Sequence, residues 1–242
     1  MNRYTRNILI DGFGKEGQEK LKNSRILIIG AGGLGSPVLL YLAAAGVGTL
    51  GIIDYDKVDI TNLQRQILHY TSDLNHLKVD SAGYKLQDLN PEVNLSLYTE
   101  KFTADNASEY IKSYDFIIDC SDNFETKFLI NDICVKEEKA YSHGAVIALR
   151  GEAMTYLPGH ACYRCVFDIL PVDGTVPTSS QIGILGSIAG VIGSIQATEA
   201  IKYLTGIGDL LTDRLLVFDG KAMNFYSLKV EKDPTCMCQT IL

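Results

Sequence analysis

A continuous apolar run, Arg25-Ile26-Leu27-Ile28-Ile29, leads without a break into Gly30-Ala31-Gly32-Gly33-Leu34-Gly35. Buried parallel strands are written as such runs, because both of their faces are covered. A glycine-rich turn straight after the strand lets the backbone enter a helix while leaving its first amides open to a ligand. Residues 34–45 read as that helix, with small residues on the sheet side, and residues 49–54 read as a second strand ending in an acid. A strand, glycine turn, helix, strand unit commits the chain to a doubly wound sheet with its ligand crevice beyond the carboxyl ends of the strands.

The alternation continues. Helices are predicted over 15–22, 78–89, 105–112 and 123–138, the second stopping before Asn90-Pro91, where proline disfavours helical geometry in its neighbour. Strands are predicted over 93–97 and 116–119. After about residue 140 the pattern changes to strand-like runs over 140–147 and 151–157, a polar loop over 170–181, a helix to 204, and late strands over 215–218 and 224–230. The expected fold class is α/β: a Rossmann-like, mostly parallel sheet extended by antiparallel strands in the C-terminal part. With no internal repeat and no low-complexity linker, residues 1–242 are expected to form a single domain, 1–140 its nucleotide-binding core and 141–242 a sheet extension.

Hydrophobic residues at 46% and charged residues at 21% suit a globular chain, and a net charge of −7 argues against a nucleic-acid partner. The weakly polar run 182–195 falls short of the roughly twenty residues that span a bilayer. It reads instead as a buried helix, with Gly183, Gly186, Gly190 and Gly193 on one close-packing face. Ile8-Leu9-Ile10 is too short for the apolar core of a signal peptide, so the expected location is cytoplasmic, away from any membrane.

Gly30, Gly32, Gly33 and Gly35 form a phosphate-binding turn, and Asp54, about twenty residues on, suits a carboxylate accepting from ribose hydroxyls. This pair is shared by binders of NAD, FAD and ATP. No GxxxxGK[ST] sequence occurs, so any ATP would sit on a Rossmann-type turn. Arg65, with Asn62, Gln64 and Gln66 around it, follows the second strand, and Lys78 opens the next helix. Each alone is an ordinary solvated cation; together they could stabilise charge growing on phosphate oxygens. Asp122, in Asp119-Cys120-Ser121-Asp122-Asn123, could cap a helix or hold Mg²⁺.

Four of the six cysteines form tight pairs, Cys162-Tyr163-Arg164-Cys165 and Cys236-Met237-Cys238. Two thiolates on each of two turns can complete a tetrahedral zinc site; four unligated thiols is the alternative, kept open by the irregular second spacing.

Arg3-Tyr4-Thr5-Arg6, the glycine turn, Asn62-Leu63-Gln64-Arg65-Gln66, Lys78, Asp119-Cys120-Ser121-Asp122-Asn123, Cys162-Tyr163-Arg164-Cys165 and Gln196-Ala197-Thr198-Glu199-Ala200-Ile201-Lys202 together resemble the ThiF/MoeB/HesA family, in the same order and over nearly the whole chain. The resemblance implies an adenylyltransferase acting on the C-terminal glycine of a small ubiquitin-like sulfur-carrier protein ending in Gly-Gly, with ATP and Mg²⁺ as co-substrates and structural zinc at Cys162, Cys165, Cys236 and Cys238. It implies ribose binding by Asp54, nucleotide contacts by Asn62, Arg65, Gln66 and Lys78, and magnesium at Asp122. It also implies a homodimer in which Arg6 reaches into the neighbouring subunit's site, with carrier binding in the C-terminal part.

Two features depart from the family. Many members carry a cysteine in the crossover loop, where this chain reads Pro177-Thr178-Ser179-Ser180-Gln181, which argues against thiol transfer from that loop. Cys120 and Cys134, on a buried strand end and within a helix, are poor substitutes. The other departure is the CxC pair in place of CxxC. Thiamine and molybdopterin pathways both use such carriers; Phe218-Asp219-Gly220-Lys221 resembles the thiamine-type members somewhat more. The rival readings are an NAD-dependent oxidoreductase, which leaves Arg65, Lys78 and Asp122 without a role, and a non-catalytic binder of a ubiquitin-like partner.

Overall fold

The computed structural model describes residues 3–172, 175 and 179–240. In chain order the elements are α1 (Thr5–Ile8), α2 (Gly14–Asn23), β1 (Arg25–Ile29), α3 (Gly35–Ala45), β2 (Thr49–Ile53), α4 (Lys78–Leu89), β3 (Asn94–Tyr98), α5 (Ala107–Lys112), β4 (Phe116–Asp119), α6 (Phe124–Lys136), β5 (Tyr141–Ile147), β6 (Arg150–Tyr156), α7 (Ser179–Ile182), α8 (Gly186–Thr205), β7 (Arg214–Asp219) and β8 (Asn224–Lys229).

The strands form one eight-stranded sheet in the order β3-β2-β1-β4-β5-β6-β7-β8. Pairing is parallel from β3 to β5 and antiparallel from β5 to β8, as the change of pattern near residue 140 predicts. The sheet separates two apolar cores. Alternate residues of β1 feed them: Ile26 and Ile28 pack with α3, α4 and α8, while Leu27 and Ile29 pack with α5, α6 and the cysteine segment. Burial on both faces is why Ile26, Leu27, Ile28 and Ile29 of β1 had to be apolar.

The expected glycine face of the long helix needs correcting. Gly183 lies outside α8, in the left-handed region at φ +87°, and Ile182 belongs to the separate α7. Gly193 does mediate close packing, since a Cβ there would fall 2.5 Å from Pro37 Cγ and 2.6 Å from the Leu34 carbonyl oxygen on the α3 side. Gly190 faces open space, with nothing within 4 Å. Gly186, Gly190 and Gly193 share one side of α8, within about 60° of one another, so spacing groups them without telling which of them meets a neighbour.

Candidate active site

β1 and β4 run parallel with Ile29 beside Asp119, so the loops that follow them emerge together at the carboxyl edge. The first is the glycine turn. Gly30, at φ +102°, passes so close to the second loop that a Cβ would lie 2.7 Å from the Cys120 carbonyl oxygen, and a Cβ on Gly35 would strike the Gly30 carbonyl at 2.1 Å. Two of the glycines thus serve the fold of the turn itself. Gly32 and Gly33 face side chains instead: their Cβ positions lie 3.4 Å from Gln66 Nε2 and 3.4 Å from Arg65 Cγ.

Among the described residues, the amides of Gly32, Gly33, Leu34 and Gly35 have no hydrogen-bond acceptor, whereas the Ser36 amide already donates to the Gly32 carbonyl at 2.9 Å. The Ala31 amide donates to Asp54 Oδ2 at 2.8 Å, and Asp54 Oδ1 accepts from the Asp56 amide at 2.8 Å. Burial raises the Asp54 pKa, and the Lys78 charge and the two amides counter it. Lys78 is buried and its Nζ lies 2.8 Å from Asp56 Oδ2. It is therefore fixed against the Asp54–Asp56 segment rather than solvated.

The segment between β2 and α4 is shaped by its own polar groups. Asp59 Oδ1 accepts from the Thr61 amide at 2.8 Å, and the Asn62 carbonyl accepts from the Arg65 and Gln66 amides. This turn lays the Arg65 stem over Gly33, with Nη1 donating to the Thr61 carbonyl at 3.1 Å. Gln66 is buried and its Oε1 has no partner among the described residues. Asn62 Nδ2 has one long contact, 3.5 Å to Thr61 Oγ1.

In the second loop the two aspartates have different fates. Asp119 is 1% exposed and fully engaged: Oδ1 accepts from the Ser121 amide at 3.0 Å and hydroxyl at 2.6 Å, and Oδ2 from Lys127 Nζ and His143 Nδ1, both at 3.0 Å. Burial opposes its charge, but Lys127 and His143 outweigh that and hold its pKa well below the usual range. Asp122 is exposed and accepts only from the Asn123 side chain at 3.5 Å. The cap of α6 is Asn123, whose side chain accepts from the Thr126 amide. Asp122 is thus the carboxylate of this loop with free coordination capacity, which fits a hard cation with oxygen ligands. Among the described residues its side chain makes no hydrogen bond or ion pair with Arg65, Gln66 or Lys78.

Arg6 is exposed on α1, far down the fold from the glycine turn. The neighbouring Tyr4 packs on Gly46, which caps the end of α3 opposite to that turn, and Asn7 reaches Gln18, which donates to the Ala45 carbonyl. The length of α3 keeps Arg6 from its own crevice.

Around the cysteines, Cys162 Sγ lies 3.4 Å from Cys236 Sγ and 4.0 Å from Cys165 Sγ, and Cys165 Sγ lies 3.5 Å from Cys238 Sγ. All four sulfurs fall within 4.8 Å of one another. The CxC spacing therefore does not prevent the pairs from converging. Asn131 Oδ1 accepts from the Tyr163 amide, Arg164 forks onto Asp132, and Asp213 accepts from the Ala161 amide, so α6 and the start of β7 fix the first turn. Four soft donors at this separation are the chemistry of a tetrahedral zinc site. Cys120 and Cys134 are buried, and burial pushes both thiols well up, which leaves them inert. Pro177 and Thr178 of the crossover loop lie outside the described residues.

Three polar groups at the site were not anticipated. His69 reaches the Ala31 carbonyl, and Lys127 and His143 hold Asp119. His69 stands three positions past Gln66, and its proximity to that motif was the available signal. Lys127 and His143 offered none, since they meet only through the β4–β5 pairing and the packing of α6.

With this geometry in hand, residues 4–239 match the ThiF family. The chain belongs to the ThiF family. It is 42% identical over 236 residues to the SAMP-activating enzyme E1 of Haloferax volcanii, covering 98% of this chain and 87% of that protein. It is 42% identical over 238 residues to the probable adenylyltransferase/sulfurtransferase MoeZ of Mycobacterium tuberculosis, covering 96% of this chain and 61% of MoeZ. It spans about half, 52%, of the adenylyltransferase and sulfurtransferase MOCS3 of Drosophila virilis, at 41% identity. The fold of this ThiF-family chain is that of E. coli MccB solved with ATP: TM-score 0.87 at 23% identity, covering 98% of this chain and 73% of MccB. Among the described residues no helix is long and apolar enough to cross a membrane.

Proposed function

We propose that the chain adenylates the C-terminal glycine of a small ubiquitin-like sulfur-carrier protein ending in Gly-Gly, using ATP and Mg²⁺. The observation that carries this reading is the packing of Arg65 and Gln66 directly over the glycine turn, with Lys78 fixed against Asp54–Asp56 beside it. Two cations beside a Rossmann-type turn suit the larger negative charge of a triphosphate. The names of the relatives, adenylyltransferase and activating enzyme, support the same chemistry.

In this reading the free amides of Gly32 and Gly33 donate to phosphate oxygens, and the spare lone pairs of Asp54 accept from the ribose hydroxyls. The carrier's terminal carboxylate attacks the α-phosphorus, the bond to the bridging oxygen breaks, and pyrophosphate leaves. Arg65 and Lys78 stabilise the charge that grows on the phosphate oxygens, and Asn62 and Gln66 orient them. Asp122 holds Mg²⁺, which when bound neutralises the departing pyrophosphate. No protein nucleophile is needed for this step. The four cysteines hold structural zinc. The protein acts as a homodimer, because Arg6 can serve a crevice only in a neighbouring copy. Thiamine-type and molybdopterin-type carriers share the Gly-Gly tail this chemistry requires, and the reaction takes place in the cytoplasm.

ATP–pyrophosphate exchange with carriers ending in Gly-Gly tests the reading: exchange is expected with the cognate carrier and lost when its last glycine is removed. Absence of exchange with every carrier, together with a nicotinamide absorbance change on added substrate, would replace it with the oxidoreductase reading.

A further inference from the structure

We propose that His69 is a positioning residue for nucleotide phosphate, acting through one peptide plane of the glycine turn; the proposal rests on the ATP reading above. His69 is buried, with Nε2 2.8 Å from the Ala31 carbonyl oxygen and Nδ1 2.8 Å from Ser81 Oγ. A carbonyl can only accept, so Nε2 carries a hydrogen. Burial, with the nearby Lys85 and Lys78 charges, lowers the ring's pKa and disfavours a second proton, which leaves Nδ1 facing the Ser81 hydroxyl, whose hydrogen also has Asp73 Oδ2 as an acceptor at 3.0 Å. Ser81 Oγ accepts in turn from Lys85 Nζ at 2.9 Å, and Lys85 pairs with Asp73. The ring is therefore held from both sides.

Its effect follows from peptide geometry. In a planar trans peptide the C=O of one residue and the N–H of the next point in opposite directions. Drawing the Ala31 carbonyl to His69 thus points the Gly32 N–H the opposite way, away from the His69 ring. The preceding plane is fixed independently, because the Ala31 amide donates to Asp54. Without His69, the plane between Ala31 and Gly32 has a glycine on one side and no other tether, and glycine allows it to rotate at little cost. His69 makes the Gly32 amide a fixed donor, whereas a mere tie between two loops would leave its direction open.

Calorimetric titration of wild type, His69→Leu and His69→Gln with ATP plus Mg²⁺ and, separately, with adenosine tests this. His69→Leu is expected to weaken ATP binding about tenfold, the order expected for a lost hydrogen bond to a charged group, while adenosine stays within about twofold. His69→Gln, whose amide can still donate to Ala31, is expected to recover most of the ATP affinity. Equal weakening of both ligands, or unchanged ATP affinity in His69→Leu, would overturn the proposal. Should His69→Leu fail to fold, Ser81→Ala is expected to give a smaller loss confined to ATP, and a loss shared with adenosine would overturn it. Long-range ¹H–¹⁵N spectra of histidine-labelled wild type need no nucleotide: His69 is expected as the neutral tautomer protonated on Nε2, and protonation on Nδ1 alone would sink the inference. A wild type that binds no ATP, with His69 in the expected tautomer, would instead fault the ATP reading.

Discussion

The glycine turn and the cysteine cluster handle unpaired polar atoms in opposite ways. At the turn, backbone amides and the Gln66 Oε1 lack partners among the described residues, yet nothing repels them from one another. At the cluster, four sulfurs are crowded within 4.8 Å, and burial together with the neighbouring thiolates pushes the Cys162 and Cys238 thiols up. A site made of fixed neutral dipoles can stand empty between turnovers, as a substrate site must. Thiol ligands hold a cation only by losing protons, so the stability of such a cluster would follow its metal. Between the two lies a buried bridge: Asp119, at the base of the Asp122 loop, bonds His143, whose ring lies 4.6 Å from that of Tyr163 beside Cys162.

The largest expected effect concerns the turn. Arg65→Ala and Asp122→Ala should each lower pyrophosphate exchange by about 100- to 1000-fold, with unchanged circular dichroism and zinc content. Full activity in both would contradict their roles. At the other region, Cys162→Ser should release the metal, measurable by elemental analysis, and lower stability by about 3 kcal/mol, or roughly 6–12 °C in Tm. A variant that keeps both its metal and its Tm would show that the cluster is four ordinary thiols.

The bridge decides whether the two regions are independent. Lys127→Met leaves Asp119 paired with His143 alone and should cost about 3 kcal/mol in denaturant unfolding, because it strips a buried carboxylate of its main counter-charge. Asp119 and Glu152 both have depressed pKa values in the folded protein. For Glu152, burial opposes the depression, and the His143 ring 3.5 Å away together with the Lys127 and Arg150 charges outweighs it. Groups of this kind contribute stability that is present above the unfolded values and lost as pH falls through the folded ones, so the wild type should weaken below about pH 4. Asp119→Asn should flatten that acid limb. An unchanged limb would mean that the charges are not coupled to folding.

The smallest effects separate two neighbouring positions on α8. Gly193→Ala should destabilise by about 1–3 kcal/mol, since its Cβ would meet Pro37 and the Leu34 carbonyl at the foot of the glycine turn. Gly190→Ala, in open space, should stabilise by about 0.5–1 kcal/mol. Equal effects at the two positions would show that α8 does not press on the turn as described.

Much of the site was legible because its signals are local. The strand, the glycines, Asp54 and the start of α4 at Lys78 follow from runs and spacings of a few residues, and the structure places all of them at one edge of the sheet. The Asp122-or-Asn123 ambiguity was not resolvable that way, since both residues cap helices well and only the loop's direction gives the cap to Asn123. Nor was the packed side of α8, where one of four candidate glycines lies outside the helix and another meets no neighbour.

The sequence by itself determined the alternation of elements, the parallel-to-antiparallel change near residue 140 and the residue types available to bind phosphate and metal. Only the tertiary structure decided that Cys236 and Cys238 meet Cys162 and Cys165, that Asp119 is consumed by Lys127 and His143 while Asp122 is spared, and that His69 faces the Ala31 carbonyl. The physical reason is reach. Backbone propensity and hydrophobic period act over one or two turns of chain, whereas these meetings depend on which strands pair and how the helices pack across them, and no short stretch of sequence contains both partners.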